Sequence, residues 1–335
     1  MKREFLMLAK EWTGQDINGW YASIKYDGQR ALWDGGVSRG MPKVNIPWAS
    51  VGRGSDICTG LWSRYGNVIH APQWWLDKLP AGVILDGELW MGRCRFQETM
   101  SVVRSHTPGV KWREVLFQML DVVQPHVLFH TGQIKNTTME KFISEEVCLE
   151  WWRKHGGGGV GKVCTFEETV RSWGKYRTEI VRPTEQRVWG GMRMLDEELS
   201  LGGEGVVVRD PKSVWTPHRI GKVLKIKGEN DGTGTVVGIR AGEGKYRGML
   251  GSLIVAWEGV TFGLSGFTDD ERRLYIASSV DEAEKDWAWR NPGELCPAWI
   301  SCKFALGSAV TFKYREKTTN GEPREARYYR KETLT

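Results

Sequence analysis

Apolar and polar positions alternate with period two in several short runs over the first two-thirds of the chain. Strands are predicted at 21–25, 29–34, 82–91, 115–123, 205–210 and 222–227, separated by turn clusters. In Leu224-Lys225-Ile226-Lys227 the alternation puts both lysines on one face. Within 82–91, Asp86-Gly87 predicts a tight turn that delivers Glu88 between two apolar runs. Helical spacing is best at 139–154, where Met139, Phe142, Ile143, Val147, Leu149 and Trp151 form one broad apolar face ending at Gly156–Gly159. Further helices are predicted at about 166–176 and 185–199. The pattern is that of an α+β domain with antiparallel hairpins over residues 1–228.

From Gly228 the pattern changes. Gly228-Glu229-Asn230-Asp231-Gly232-Thr233-Gly234 reads as a flexible polar hinge. Beyond it, strand signals at 235–239, 251–257, 260–264, 309–314 and 327–330 predict a small all-β Greek-key barrel of the OB type over 229–335. No internal repeat or low-complexity tract interrupts either region.

Composition is that of a globular chain: of 335 residues, 40% are hydrophobic and 26% charged. The net charge of +6 is concentrated near the C-terminus, where residues 303–331 hold eight Lys or Arg against three Glu. Phe304, Phe312, Tyr314, Tyr328 and Tyr329 are interleaved there, a combination that favours a polyanionic partner. The six cysteines form no C-x-x-C pair and are expected to be reduced thiols; most of the 18 tryptophans are expected in the core. The N-terminal apolar run is too short for a secretory signal, and no stretch is long enough to span a bilayer. A cytoplasmic protein with no membrane partner is expected, in a bacterial cytosol or a phage-infected host.

The candidate chemistry lies in five ordered segments. Lys25-Tyr26-Asp27-Gly28-Gln29-Arg30 follows a strand and presents an amine suited to attack a nucleotide α-phosphate, with Arg30 near enough to steady the charge. Glu88 follows next, then an acid near the end of 115–123, then Glu204 as an exposed carboxylate opening the strand 205–210, and then Lys225 and Lys227. Gly156–Val163 nearly spells a phosphate-binding loop, but Val163 stands where a hydroxyl would bind a cation, and a helix rather than a strand precedes it.

In this order, between residues 25 and 227, the segments resemble the signature of the covalent nucleotidyltransferases, most closely the ATP-dependent DNA ligases of minimal two-domain phage or bacterial type. The resemblance implies an adenylation (nucleotidyltransferase) domain followed by an OB domain. It implies Lys25 as the nucleophile that takes AMP from ATP, with Ile24, Arg30, Glu88, Leu120, Lys225 and Lys227 around the nucleotide. Glu204 and Glu88 become the ligands of Mg²⁺, with Mn²⁺ as a substitute. Arg324 and Arg327 would orient pyrophosphate, and Asp27, Arg39 and Arg219 would meet DNA. Leu120 departs from the aromatic that many relatives place before the acid of the third segment. The function implied is sealing of 5′-phosphate/3′-hydroxyl nicks in double-stranded DNA by a monomer, in replication, repair or recombination. Alternatives are an RNA ligase, an mRNA-capping guanylyltransferase, or a catalytically silent nick-binding protein.

Overall fold

Six of the alternating runs, joined by four short strands, form two five-stranded sheets. In this computed structural model the described residues are 5–50, 56–130, 143–155, 164–228, 230–247, 249–272, 304, 306–315, 317–318 and 320–329. The chain divides into two units, Met1–Lys227 and Gly228–Thr335. In the first unit the strands are β1 (Leu8–Glu11), β2 (Tyr21–Ile24), β3 (Gln29–Asp34), β4 (Leu61–Ser63), β5 (Ile84–Trp90), β6 (Leu116–Val123), β7 (Val181–Pro183), β8 (Arg187–Val188), β9 (Gly205–Arg209) and β10 (Arg219–Lys227). One sheet runs β1-β10-β9-β2-β8 and the other β4-β3-β5-β6-β7. Pairing is antiparallel except for β1 with β10 and β6 with β7. Its helices are α1 (Gln73–Leu76), α2 (Phe96–Val103), α3 (Pro125–His130), α4 (Glu145–Lys154), α5 (Phe166–Arg171) and α6 (Arg193–Ser200).

Strand alternation sorts the side chains into three layers of core. Ala31, Trp33, Leu85, Leu89, Phe117 and Met119 face outward from the second sheet onto Trp75, Trp112 and Phe166. Leu32, Ile84 and Val123, on its other face, meet Val223 and Val207 of the first sheet together with Trp62, Trp152 and Trp215. Ala22, Val206, Val208, Leu224 and Ile226 lie beneath Leu195 of α6. Tryptophan is the main filler: Trp33, Trp48, Trp62, Trp75, Trp112 and Trp152 are fully buried. The two sheets therefore pack inner face to inner face.

Several expectations are corrected. Asp86-Gly87 is no turn: β5 runs straight through it, Asp86 opposite Leu32 and Gly87 opposite Ala31. The hairpin signal fails because a buried guanidinium partner makes Asp86 a core residue. The helix expected at 185–199 begins only at Arg193, because residues 187–188 pair with Tyr21 and Ala22. The helix expected at 139–154 starts at Glu145, capped by Ser144 accepting from the Val147 amide, and buries Cys148 and Trp152 while Val147 is exposed. Positions 139–142, the Gly156–Val163 stretch, Cys296 and Cys302 lie outside the described residues.

In the second unit, β11 (Asn230–Ala241), β12 (Leu250–Trp257), β13 (Val260–Leu264), β14 (Ala309–Tyr314) and β15 (Arg327–Tyr328) form a sheet ordered β13-β12-β11-β14-β15, with α7 (Asp269–Arg272) beside it. A bridge from Ser265 to Arg327 brings β15 back to the end of β13 and curls the sheet closed. Val236, Leu253, Val255, Phe304, Val310 and Phe312 fill it. The expected hinge is another correction. Asn230–Thr235 pair residue by residue with Ala309–Tyr314, so Gly232 and Gly234 belong to the strand.

Candidate active site

β2 ends at Ile24, and the Lys25 amide continues its ladder by donating to the Gly205 carbonyl at 2.8 Å. This places the side chain of Lys25 beside Glu204, with which it forms an ion pair. Lys227 Nζ lies 3.5 Å from Glu204 Oε1, so one carboxylate faces two ammonium groups. Gly205 makes this approach feasible. It has φ +140°, and a Cβ there would sit 2.3 Å from the Ile226 carbonyl oxygen. Glu204, expected to be exposed, has only 10% of its side chain accessible. Lys225 lies on the same face of β10 as Lys227 and holds Glu11 Oε2 at 2.7 Å.

On the second sheet, Glu88 on β5 pairs in register with Arg30 on β3 and Gln118 on β6. Burial pushes its carboxyl up to about 7, against the opposing charges of Arg30 and Lys25. Gly28 lets the turn between β2 and β3 press onto this strand, since a Cβ there would meet the Leu89 carbonyl oxygen at 2.2 Å and Glu88 Cγ at 3.0 Å. Arg30 grips Asp86 through Nε at 2.7 Å and Nη2 at 2.8 Å, and donates to the Met7 carbonyl at 3.1 Å. Leu120 falls where the β5–β6 register shifts and is partly exposed. Asp27 is half-buried and close enough to Glu88 to raise its carboxyl further.

The structure thus gathers Lys25, Glu204 and Lys227 at the adjoining ends of β2, β9 and β10 in the first sheet, and Arg30 and Glu88 on the inner face of the second. The outer arginines stand elsewhere. Arg39 Nη2 binds Asp77 Oδ1 at 2.8 Å, and Arg219 donates to the Ala9 carbonyl. Arg324 and Arg327 belong to the second unit, where Arg327 pairs with Lys313. Sequence reasoning noted the acid of the third segment, Asp121, without a partner and gave Asp86 and Arg209 no site role; Asp121 pairs with Arg209, and Asp86 with Arg30. The available signal was a charged residue inside, or ending, an otherwise apolar strand run.

Comparison with known proteins accounts for both units. A family model described as DNA ligase OB-like domain matches residues 241–331. A DNA ligase of Haemophilus influenzae is 24% identical over 97% of this chain and 91% of its own length. A solved structure from a structure–function study of Lig E DNA ligases, on DNA binding with a minimal scaffold, covers 97% of this chain and 98% of its own at 26% identity, with TM-score 0.63. A second, Pmar-Lig_Pre, shares the fold at 20% identity and TM-score 0.57, covering 98% of this chain and 67% of its own. The chain thus has an α+β nucleotidyltransferase domain followed by an OB domain, and along nearly its whole length it is similar to DNA ligases.

Proposed function

We propose that this protein seals 5′-phosphate/3′-hydroxyl nicks in duplex DNA with ATP as AMP donor, through a lysyl-AMP on Lys25 and then a DNA-adenylate. The observation that carries the proposal is the convergence of Lys25, Glu204 and Lys227, with Glu88 and its register partner Arg30 close enough for the charge of Lys25 to act on Glu88. A nucleophilic amine needs its lone pair, so the Lys25 ammonium gives up its proton to water and its ion pair with Glu204 opens before attack. Lys25 Nζ then bonds to the α-phosphorus, the bond to the bridging oxygen breaks, and pyrophosphate leaves. Lys227 and Lys225 neutralise charge that builds on the α-phosphate. Glu88, with its carboxyl near neutrality, bonds to the ribose hydroxyls. Leu120 offers an aliphatic surface to the base.

Glu204 and Glu88 would hold Mg²⁺, which supplies charge neutralisation at the phosphates. Among the described residues no three His, Cys, Asp or Glu side chains form a metal cluster. That fits a hard cation that keeps waters and takes phosphate oxygens as ligands. Once Lys25 has reacted, the carboxylate of Glu204 is freed from it. Asp27, Arg39 and Arg219 would contact the nicked duplex, and Arg324 and Arg327 would orient pyrophosphate. A monomer suffices for these roles. No helix among the described residues is long and apolar enough to cross a membrane, and a cytosolic setting is the one proposed.

The test is incubation with ATP and Mg²⁺ followed by intact mass. A gain of one AMP that is absent in Lys25→Ala supports the reading. A GMP adduct formed in preference would favour capping chemistry, and no adduct with either nucleotide would favour a silent nick-binding protein.

A further inference from the structure

Beside Arg30 lie two carboxylates, Asp86 and Asp121, and a second guanidinium, Arg209, that no step above uses. Asp86 on β5 and Asp121 on β6 are direct cross-strand partners, both almost wholly buried. Asp86 is held by Arg30 and by Trp215 Nε1 at 2.8 Å. Asp121 Oδ2 accepts from Arg209 Nη1 at 2.5 Å, and its Oδ1 accepts from the Val122 amide at 2.8 Å. Arg209 Nε donates to Ser213 Oγ at 3.0 Å, and the guanidinium lies 3.8 Å over the Phe166 ring. Arg209 belongs to the first sheet, whereas Asp121, Asp86 and Arg30 belong to the second. The group therefore ties one sheet to the other.

Its placement along the chain is regular. Arg30 follows Lys25 by one turn, Asp86 precedes Glu88 by two residues on the same face, Asp121 adjoins Leu120, and Arg209 ends the strand that starts after Glu204. Four segments that carry candidate site residues each contribute one member. A buried ion pair is poor evidence for stability alone, since apolar replacement of both partners is often neutral or stabilising. Arg209 moreover leaves Nη2 buried without a hydrogen-bond partner. A cluster that cannot shift without exposing an unpaired charge does, however, fix register between two sheets.

We infer that the Asp121–Arg209 pair, coupled across the β5–β6 register to Arg30–Asp86, is a positioning device that sets Glu204 and Lys25 against Glu88. The inference rests on the nucleotidyl-transfer reading for its kinetic consequence but not for its geometric one. Asp121 and Arg209 are positioning residues: they touch no substrate and act through the strands they join.

The test compares wild type with the double variant Asp121→Leu/Arg209→Met, which removes both charges together. Three readouts are taken: the thermal midpoint, the pH profile of Lys25 labelling by an amine-directed acylating reagent read by peptide mass, and single-turnover AMP-adduct formation against ATP concentration. The expected result is a midpoint close to wild type, a shifted Lys25 labelling profile, and adduct formation slowed about 100-fold at saturating ATP with a much smaller change in KM. A double variant that melts, labels and adenylates like wild type overturns the inference. If the double variant does not fold, Arg209→Lys keeps a charge opposite Asp121 but loses the fork to Ser213. An unchanged Lys25 profile in that variant likewise overturns it. Absence of any adduct in wild type would defeat the nucleotidyl-transfer reading instead, while the labelling profile still decides the geometry.

Discussion

Lys25, Glu204 and Lys227 meet at the rim of the first sheet, where its strands end, with side chains 21%, 10% and 14% accessible, whereas Asp121 and Arg209, on the same pair of sheets, retain 3% and 6%. Both groups are ion pairs, yet their chemistry differs. The rim carboxylate faces two amines and water, so a phosphate can replace it as their partner. The sealed pair has no replacement partner, and removing either member strands a buried charge. A strand such as β9 can thus be preceded by a residue whose ion-pair partners are exchangeable and end with one that fixes the strand in place.

The sharpest way to break the comparison is Lys25→Ala. It should abolish the AMP adduct and nick sealing while leaving the melting curve close to wild type. Loss of the fold would show that the rim pair is also an anchor. Next in size is Asp121→Asn, which leaves Arg209 buried opposite a neutral group and should cost about 3–5 kcal/mol in denaturant unfolding. Glu204→Gln, by contrast, should cost far less stability and most of the adenylation activity.

Asp34 sharpens the contrast from another side. It is sealed like Asp121, but its partners Ser38 Oγ, Trp62 Nε1 at 2.8 Å and the Gly36 amide at 2.9 Å are neutral. Burial pushes its carboxyl up to about 6. The folded state therefore holds its proton more tightly than the unfolded chain does. The stabilisation is complete below pH ~4 and is lost as pH rises through about 6. The stability of wild type relative to Asp34→Asn should fall by on the order of 2 kcal/mol between pH ~4 and ~7, measured by chemical denaturation across that range. The smallest effect belongs to Arg39→Ala. Its ion pair with Asp77 is exposed, so unfolding free energy should change by less than about 1 kcal/mol, even if DNA affinity falls.

The period-two runs made β2, β3, β5, β6, β9 and β10 legible because each buries one or both faces against a layer. Short-range motifs likewise exposed Lys25, Glu204 and Lys227, which converge because β2, β9 and β10 are sheet neighbours. What stayed hidden depended on partners far away in sequence. Asp86-Gly87 looked like a turn because Arg30 and Trp215 cannot be seen in the local sequence. Gly228–Gly234 looked like a hinge because its pairing strand lies some 80 residues on. Asp121 and Arg209 are 88 residues apart, and neither forms a motif alone.

Nick sealing is measured on a duplex carrying one nick with a 5′-phosphate and a 3′-hydroxyl, incubated with the protein, ATP and Mg²⁺ and resolved on a denaturing gel. The account predicts a joined strand, none when the 5′-phosphate is omitted, and none with Lys25→Ala. A protein that takes up AMP yet leaves the nick open, or that joins it without Lys25, would contradict it.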